Sequence, residues 1–195
     1  MIWSRLLPSR TNTAAAASYR AIVSQARQPA FYAAYGVPDS VDGRFEMIAL
    51  HMFAVLHRLK PETAAAGFSQ DLFDIMFADM DRSLREMGVG DLGVGRRIKA
   101  MAQGLYGRMA AYEAGLAAGD DELAAALRRN VYGTVDDAAV AAALLPSLCG
   151  YVRALVRHMA GETAEQLMAG HVTFPAVPVP GNPVEIPGPG TNGPV

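Results

Sequence analysis

Apolar residues recur every three or four positions through most of the chain, which is the spacing of helices that bury one face. The clearest case begins at Ser69, after which seven apolar residues fall within one arc of a helix: Leu72, Phe73, Met76, Phe77, Met80, Leu84 and Met87. The opposite side carries charge, at Asp71, Asp74, Asp81 and Arg85. This segment therefore predicts an amphipathic helix with an acidic outer face. Gly88 predicts its end, because a residue without Cβ readily takes the left-handed closing position.

The same periodicity predicts further helices over residues 14–28, 41–60, 94–118 and 136–160, one that begins near 119, and a helical turn over 29–36. The segment 41–60 is apolar on most sides, so we expect the other helices to surround it. Ser40 is a suitable N-cap for this central helix. Pro146 predicts either a kink in the last helix or the start of a new one. The predicted fold class is all-α, with a single helical domain of six to eight helices.

Length and composition set the expected domain organisation. A chain of 195 residues suits one sizeable domain, and a composition of 51% hydrophobic and 18% charged residues is typical of a globular protein. No apolar run reaches the ~20 residues that a membrane-spanning helix needs. Seven of the 12 prolines lie beyond residue 174, so this end is expected to sample polyproline and coil states. We predict a basic N-terminal arm (1–12), a helical domain (13–170) and a proline-rich flexible tail (171–195).

The predicted arm mixes apolar and basic residues in the manner of a short interfacial helix. Trp3, Leu6 and Leu7 would insert at the level of the lipid headgroups, while Arg5 and Arg10 would reach anionic lipid. These five residues are the predicted membrane contact. An organelle transit peptide has a similar composition, and a disordered basic N-terminus is a third interpretation. The sequence leaves all three open.

Charge is unevenly distributed, although the net charge of −2 is too balanced for a general nucleic-acid binder. Residues 61–91 hold seven acids and two arginines, a balance of −5. Residues 92–118 hold four basic residues and one acid, a balance of +3. The predicted acidic and basic helices thus follow each other along the chain, and we expect them to face different partners, or each other.

Residue types that carry enzymatic chemistry are sparse. The single cysteine, Cys149, excludes an internal disulfide framework and a cysteine-based metal cage. Gly88, Gly90 and Gly93 fit the dinucleotide-binding pattern GxGxxG. However, a predicted helix rather than a strand precedes these glycines, and Asp91 would place a negative charge beside the phosphates. A tight corner between two helices is therefore the interpretation that we adopt.

Metal binding is also not predicted. His51 and His57 are six residues apart, hence ~240° apart around a helix, so they cannot share one ion and are expected to be ordinary polar or rim histidines. Acidic residues at helical spacing can bind metals in bundles, but the ferritin-like arrangement needs Glu-x-x-His elements, which this chain lacks. The sequence therefore predicts no catalytic residue, no cofactor and no metal ligand. A helical-bundle enzyme with a carboxylate-bound metal, or a lipid- or quinone-binding module, remains as the alternative function.

Three stretches make the chain recognisable: RQPAFYAAYGVPDSVDGRFEMIALHMFAVLHRLK, FADMDRSLREMGVGD and GRRIKAMAQGLYGRMAAYEAGL. Together they resemble the ubiquinol–cytochrome c chaperone family over residues 19–132, and the combination of LREMGVGD with YGR at 106–108 is specific. This family consists of assembly factors of the cytochrome bc1 complex, with mitochondrial and alphaproteobacterial members. Arginine far outnumbers lysine here and alanine is abundant, which fits a GC-rich bacterium and hence an alphaproteobacterial member.

The resemblance implies a function and a location. It implies a non-enzymatic assembly chaperone of the cytochrome bc1 complex that binds newly made cytochrome b and has no nucleic-acid partner. Mitochondrial relatives work with a small partner chaperone, which is a second partner to consider here. The implied location is the bacterial cytoplasm, in peripheral contact with the inner membrane. The matrix side of the mitochondrial inner membrane is the alternative.

The acidic helix, the glycine corner and the basic helix form the predicted partner-binding region. An exposed acidic face suits the lysine- and arginine-rich cytoplasmic loops of membrane proteins. At the edge of the apolar stripe, Asp79 and Glu86 are expected to meet arginines of a neighbouring helix or of another protein. The residues predicted to bind a partner are Asp74, Asp79, Asp81, Arg85, Glu86, Asp91, Arg96, Arg97, Tyr106 and Arg108. If the acidic face is merely solvated, the site is to be sought among the last four of these.

Overall fold

The computed structural model of the protein describes residues 10–135 and 138–180, and within these ranges it contains helices and no β-strand. The α-helices are α1 (Arg10–Ala26), α2 (Pro29–Ala33), α3 (Val41–Leu59), α4 (Ala66–Glu86), α5 (Asp91–Ala118), α6 (Asp120–Val131), α7 (Ala138–Gly161) and α8 (Ala164–Met168). A 3-10 turn, Thr63–Ala65, precedes α4. None of the helices described is both long enough and apolar enough to cross a bilayer. The all-α class predicted from the sequence is confirmed.

α3 is the centre of the fold, as its apolar sides predict. Of its 19 residues, 14 are buried, and α1, α5, α6, α7 and α8 all pack against it. The helix begins where the Ser40 side chain accepts a hydrogen bond from the Gly43 backbone nitrogen at 3.1 Å. The predicted N-cap is therefore confirmed.

His51, for which the sequence predicts an ordinary polar or a rim position, lies fully buried in this core, so the rim position is wrong. Its Nδ1 lies 2.7 Å from the Met47 carbonyl, which can only accept, so Nδ1 carries the proton. The Tyr151 hydroxyl donates to Nε2 at 2.6 Å. Burial lowers the pKa of His51 to about 4, so the ring is neutral at pH 7. A neutral imidazole with both nitrogens bonded is compatible with the core, because no buried polar atom of the ring is left without a partner.

The end of α4 is closed by the glycine that the sequence predicts. Gly88 has a φ of 81°, and its backbone nitrogen donates to the Arg85 carbonyl at 2.9 Å. The Val89 nitrogen donates to the Leu84 carbonyl at 3.1 Å. These two bonds form a Schellman motif, which turns the chain from α4 into α5. Since nothing lies within 4 Å of a Cβ added at Gly88, the requirement for glycine is conformational and not one of space.

Replacing Gly88 by alanine should lower the free energy of unfolding by about 1 kcal/mol, the cost of a left-handed residue that carries a Cβ. The matched control is Gly95→Ala in α5, where the backbone is helical and an added Cβ likewise meets nothing. There alanine should raise the free energy of unfolding by about 0.5–1 kcal/mol. Urea denaturation measures both changes, and shifts of the same sign would contradict a purely conformational role for Gly88.

Helix boundaries differ from the predicted ones by a few residues, and α7 runs through Pro146 without starting a new helix. Pro146 lies on the exposed side of α7, as does Ala142, whose carbonyl loses its helical partner to the proline. Water can reach that carbonyl, so it is not left without a hydrogen-bond partner where the helix continues.

Past α8 the chain continues as an extended segment that packs against the helices. Gly170, with a φ of 90°, closes α8, and residues 171–180 follow without helix. Val172 is buried, and Phe174 and Val177 are partly buried against the core. The predicted flexible tail begins at residue 171, before these contacts, and residues 181–195 lie outside the described part of the chain. The domain boundaries after residues 12 and 170 stay predictions.

Candidate partner-binding surface

Asp79 joins α1 to α4 instead of facing outward. The Tyr19 hydroxyl donates to its Oδ2 at 3.0 Å, and Arg82 forms an ion pair with its Oδ1. The side chain of Asp79 is only 18% exposed. Burial, followed by the charge of Asp79, raises the pKa of Tyr19 far above its ordinary value, so the hydroxyl stays a donor. We therefore remove Asp79 from the predicted partner-binding set, because its carboxylate is used within the fold.

Arg85 ties the end of α4 to the start of α5. Its Nε lies 2.6 Å from Asp81 Oδ2, and a terminal nitrogen pairs with Asp91. The hydrogen bonds that it donates to Asp81 and then to Asp91 raise the pKa of Arg85 above its ordinary value. These side chains are open to solvent, so the pairs contribute little to stability. They do engage two of the predicted partner-binding carboxylates, and the single charge of Arg85 offsets one of the two negative charges.

Asp74 and Glu86 are the predicted carboxylates that stay accessible to an external cation. Both residues are exposed. Asp74 accepts a hydrogen bond from the Gln70 side chain at 2.8 Å. Neither residue forms an ion pair within the described ranges, in contrast to Asp79, Asp81 and Asp91.

Three large apolar side chains are exposed around the α4–α5 corner and along α5. Met87 is 51% exposed, Leu92 89% and Tyr106 64%. The Tyr106 ring also packs beside Phe73 of α4, with ring centroids 5.8 Å apart. Single exposed apolar residues are ordinary on protein surfaces. Here, three of the five exposed large apolar residues of the described chain lie on one helical hairpin, which makes this hairpin the candidate interaction site.

α5 leaves most of its own surface uncovered. Only four of its 28 residues are buried, although apolar residues occur on all its sides, a pattern that normally belongs to an enclosed helix. Its outward row consists of exposed residues at helical spacing: Leu92, Arg96, Lys99, Gln103, Tyr106 and Ala110. No ion pair involves the cations of this row, or the adjacent Arg97, within the described residues. We define the α5 surface as Met87, Leu92, Arg96, Arg97, Lys99 and Tyr106.

Arg108 points inward from α5 and forms an ion pair with Glu46 of α3. Its Nε donates to Glu46 Oε2 at 2.6 Å and to Oε1 at 2.8 Å, and a terminal nitrogen also pairs with Oε1. The guanidinium carbon lies 5.4 Å from the centre of the Phe45 ring, within the range of a cation–π contact. Arg108 is therefore also removed from the predicted partner-binding set, because it acts within the fold.

Glu46 is not among the residues predicted from the sequence to form a site, although only 4% of it is exposed. Burial raises the pKa of Glu46, and Arg108 partly offsets that rise. A carboxylate inside a core needs a cation as its partner. The sequence signal for such a pair is therefore an acidic residue within the mostly apolar central helix. The partner lies 62 residues further along the chain, and no local pattern connects the two.

The remaining chemistry of the described chain is modest. Within residues 10–135 and 138–180, no group of three or more His, Cys, Asp or Glu side chains could hold a metal ion. Cys149 is buried, and burial raises the pKa of its thiol to about 11, so it is protonated at neutral pH. Among the described residues, the α5 surface is therefore the best candidate for contact with a macromolecular partner.

Comparison with known proteins gives a consistent picture. A family model described as ubiquinol-cytochrome C chaperone matches residues 33–174. The ubiquinol-cytochrome-c reductase complex assembly factor 1 of Xenopus laevis is 26% identical over 119 residues, which are 60% of this chain and 60% of that protein. The match therefore spans less than two thirds of that relative. The crystal structure of the Cbp3 homolog from Brucella abortus is similar with a TM-score of 0.74 and 38% identity, over 86% of this chain and 92% of that one.

Proposed function

The chain belongs to the ubiquinol-cytochrome C chaperone family, as its motifs predict, and on that premise we propose that it is a non-enzymatic assembly chaperone of the cytochrome bc1 complex. Its proposed client is newly made cytochrome b. The Xenopus laevis relative is named as a complex assembly factor, which supports the same process. The enzyme and the lipid- or quinone-binding alternatives receive no support from these relatives. A small partner chaperone stays an expectation.

The observation that carries the proposal is the uncovered α5 surface. A newly made membrane protein presents apolar segments and basic loops. Met87, Leu92 and Tyr106 offer apolar contact, while Asp74 and Glu86 on α4 offer unpaired carboxylates. Tyrosine and methionine are enriched at interfaces, methionine because its unbranched side chain repacks against varied partners. The apolar side chains of the α5 surface and the carboxylates of α4 together suit a client whose contacts are apolar and basic.

Replacing Leu92 by serine and Tyr106 by alanine together should reduce the capture of cytochrome b about tenfold or more, because a few exposed apolar anchors supply most of an interface's affinity. Capture is measured by immunoblotting the cytochrome b that co-purifies with the tagged protein from detergent-solubilised membranes. The thermal midpoint should barely change, since both side chains are largely exposed.

Val41→Ser is the matched control for this variant. Val41 is also an exposed apolar residue, but it belongs to α3 and is not part of the α5 surface. This control should leave capture unchanged. Full capture by the Leu92/Tyr106 variant would remove the α5 surface from the proposal. Equal losses in both variants would also count against it.

We infer in addition that the α4–α5 corner faces the inner membrane, from the bacterial cytoplasm or, as the alternative, from the mitochondrial matrix. α1 packs along α4, and its Tyr19 hydroxyl meets Asp79 in the second half of that helix. In this proposal the start of α1 faces the same membrane surface as the Gly88 corner.

The arm predicted to contact lipid precedes α1 in the sequence. Its predicted contacts are Trp3, Arg5, Leu6 and Leu7, which lie outside the described residues, and Arg10, the first residue of α1. The α5 surface begins at the Gly88 corner. Its three unpaired cations would each add about 1 kcal/mol of attraction near anionic lipid. Arm and α5 surface together would give the corner both apolar and basic groups for a membrane surface.

Flotation with anionic vesicles should be sensitive to salt, and it should weaken when residues 1–9 are deleted or when Arg96→Gln and Arg97→Gln are combined. The matched control is Arg128→Gln with Arg129→Gln, two exposed arginines of α6. This control should float like the wild type. If the α6 variant and the α5 variant lose flotation equally, the contact is a general effect of charge and not a property of this corner.

A further inference from the structure

The extended segment after α8 lies in a groove between α1, α3 and α7, and we call residues 172–177 the strap. Val172 is buried, and the Phe174 ring packs edge-on against the His51 ring with centroids 5.5 Å apart. Val177 packs against the same core. The apolar anchors are two and three residues apart along the strap. Because an extended chain turns successive side chains to opposite faces, Val172 and Phe174 share one face.

Few hydrogen bonds hold the strap in its groove. Gln25 Nε2 donates to the Pro175 carbonyl at 3.0 Å, the one bond from a helix to the strap backbone among the described residues. The Thr173 hydroxyl donates to Glu162 Oε1 at 2.5 Å and lies 2.8 Å from His158 Nε2. Pro175 has no N–H to donate in return. The strap is therefore held by its side chains and one carbonyl, without helical or strand pairing.

The floor of the groove is aromatic and preorganised. Phe31 packs edge-on against Tyr151 and His51, with centroid distances of 5.0 and 5.5 Å. Gln25 Nε2 donates to the Tyr151 hydroxyl at 3.1 Å as well as to the strap. Because the amide nitrogen carries two hydrogens, the bond to Tyr151 fixes the direction of the second one. The groove thus combines an apolar floor with one preset donor for a backbone carbonyl.

We propose that this groove is a second client-binding site, which takes an extended apolar segment, and that the strap is its resident occupant in the free protein. The proposal rests on the chaperone function proposed above. The strap itself shows which groups the groove binds. They are a branched apolar side chain (Val172), an aromatic side chain two positions later (Phe174), and a backbone carbonyl (that of Pro175) that accepts a hydrogen bond from Gln25. Membrane proteins that await insertion are rich in such apolar segments. A client segment therefore competes with the strap. The apparent affinity of the client segment depends on the fraction of molecules in which the strap has left the groove.

A fluorescent peptide of sequence HVTFPAVPVP, which is residues 171–180 of this chain, tests the exchange by anisotropy against the full-length protein. The wild type should bind it weakly, because its own strap competes. Phe174→Ser in the protein loosens the strap and leaves the groove intact, so affinity should rise at least tenfold. Adding Gln25→Ala to this variant should reverse most of the gain. A peptide that carries the same Phe174→Ser change should not bind.

Val177→Ser is a second strap variant, used if Phe174→Ser lowers the thermal midpoint below the assay temperature. Val177 is only partly buried, so the fold should stand and the affinity should rise about threefold. The groove proposal is overturned if a folded strap variant binds the peptide no more tightly than the wild type does. Failed exchange with intact capture of cytochrome b overturns the groove alone. Intact exchange without capture of cytochrome b overturns the chaperone function and leaves a peptide groove.

Discussion

Arg108→Ala should lower the free energy of unfolding by about 3–5 kcal/mol, because it leaves a buried carboxylate without its cation. Glu46 is almost fully buried on α3, and both of its oxygens accept hydrogen bonds from the Arg108 guanidinium. Urea denaturation followed by far-ultraviolet circular dichroism measures the loss.

Removing both charges should cost far less than removing Arg108 alone, since no uncompensated charge is then left in the core. The double variant Glu46→Met with Arg108→Met keeps side chains of similar length. Arg96→Ala, an exposed arginine of the same helix, is the single control and should change the free energy of unfolding by at most about 0.5 kcal/mol. If Arg108→Ala lowers the free energy of unfolding by less than about 1 kcal/mol, the ion pair between Glu46 and Arg108 does not stabilise the fold as a buried pair.

The loss of unfolding free energy in the Arg108→Ala variant, relative to the wild type, should also increase with pH. Burial raises the pKa of Glu46 in the folded protein above its unfolded value of about 4.3. A group of this kind contributes stability that is fully present below the unfolded pKa and is lost as the pH rises through the folded pKa. Arg108 limits the rise of the folded pKa in the wild type, and its removal lets that pKa climb further. The difference in unfolding free energy should therefore be smaller near pH 4.5 than near pH 7.

Gly115→Ala should lower the free energy of unfolding by about 1–3 kcal/mol, because the backbones of α5 and α6 lie close together at this residue. A Cβ added at Gly115 would lie 2.7 Å from the Leu123 Cα and 2.9 Å from its backbone nitrogen. Backbone atoms cannot rotate aside as the end of a side chain can, so the two helices must move apart. Thermal and urea denaturation of the variant measure the effect.

Gly107→Ala is the matched control in the same helix. Gly107 is exposed and an added Cβ there meets nothing within 4 Å, so alanine should raise the free energy of unfolding by about 0.5–1 kcal/mol. Of Gly104, Gly107 and Gly115 in α5, only Gly115 faces the backbone of another helix. Changes in unfolding free energy of the same sign in Gly115→Ala and Gly107→Ala would contradict that difference.

Helical periodicity is sufficient to predict α3 and α4, because one is apolar on most sides and the other has a single apolar face. It fails on α5, whose apolar residues occur on all sides, so a helical wheel cannot identify the buried face. Arg96 and Arg108 therefore look alike in the sequence. In the structure, one is exposed and the other reaches inward to Glu46.

Contacts between distant parts of the chain set the other limit of the sequence analysis. Tyr19 meets Asp79 across 60 residues, and only the packing of α1 on α4 brings them together. The strap is a second example. Prolines dominate 171–195 as a whole and predict a tail, yet residues 172–177 carry three apolar anchors. Whether such anchors pack depends on a groove that three separate helices form, which no local pattern contains.

The central claim, that the protein assists assembly of the cytochrome bc1 complex through cytochrome b, is tested most directly in cells that lack it. Membranes of a deletion strain are assayed for cytochrome b by immunoblot and for its haem by reduced-minus-oxidised spectra, with a terminal oxidase as internal control. We expect cytochrome b and its haem to fall severalfold while the oxidase and the cytochrome b transcript are unchanged. The wild-type gene should restore both, and the Leu92→Ser, Tyr106→Ala variant should not. Normal amounts of cytochrome b and of assembled complex in the deletion strain would contradict the assembly role.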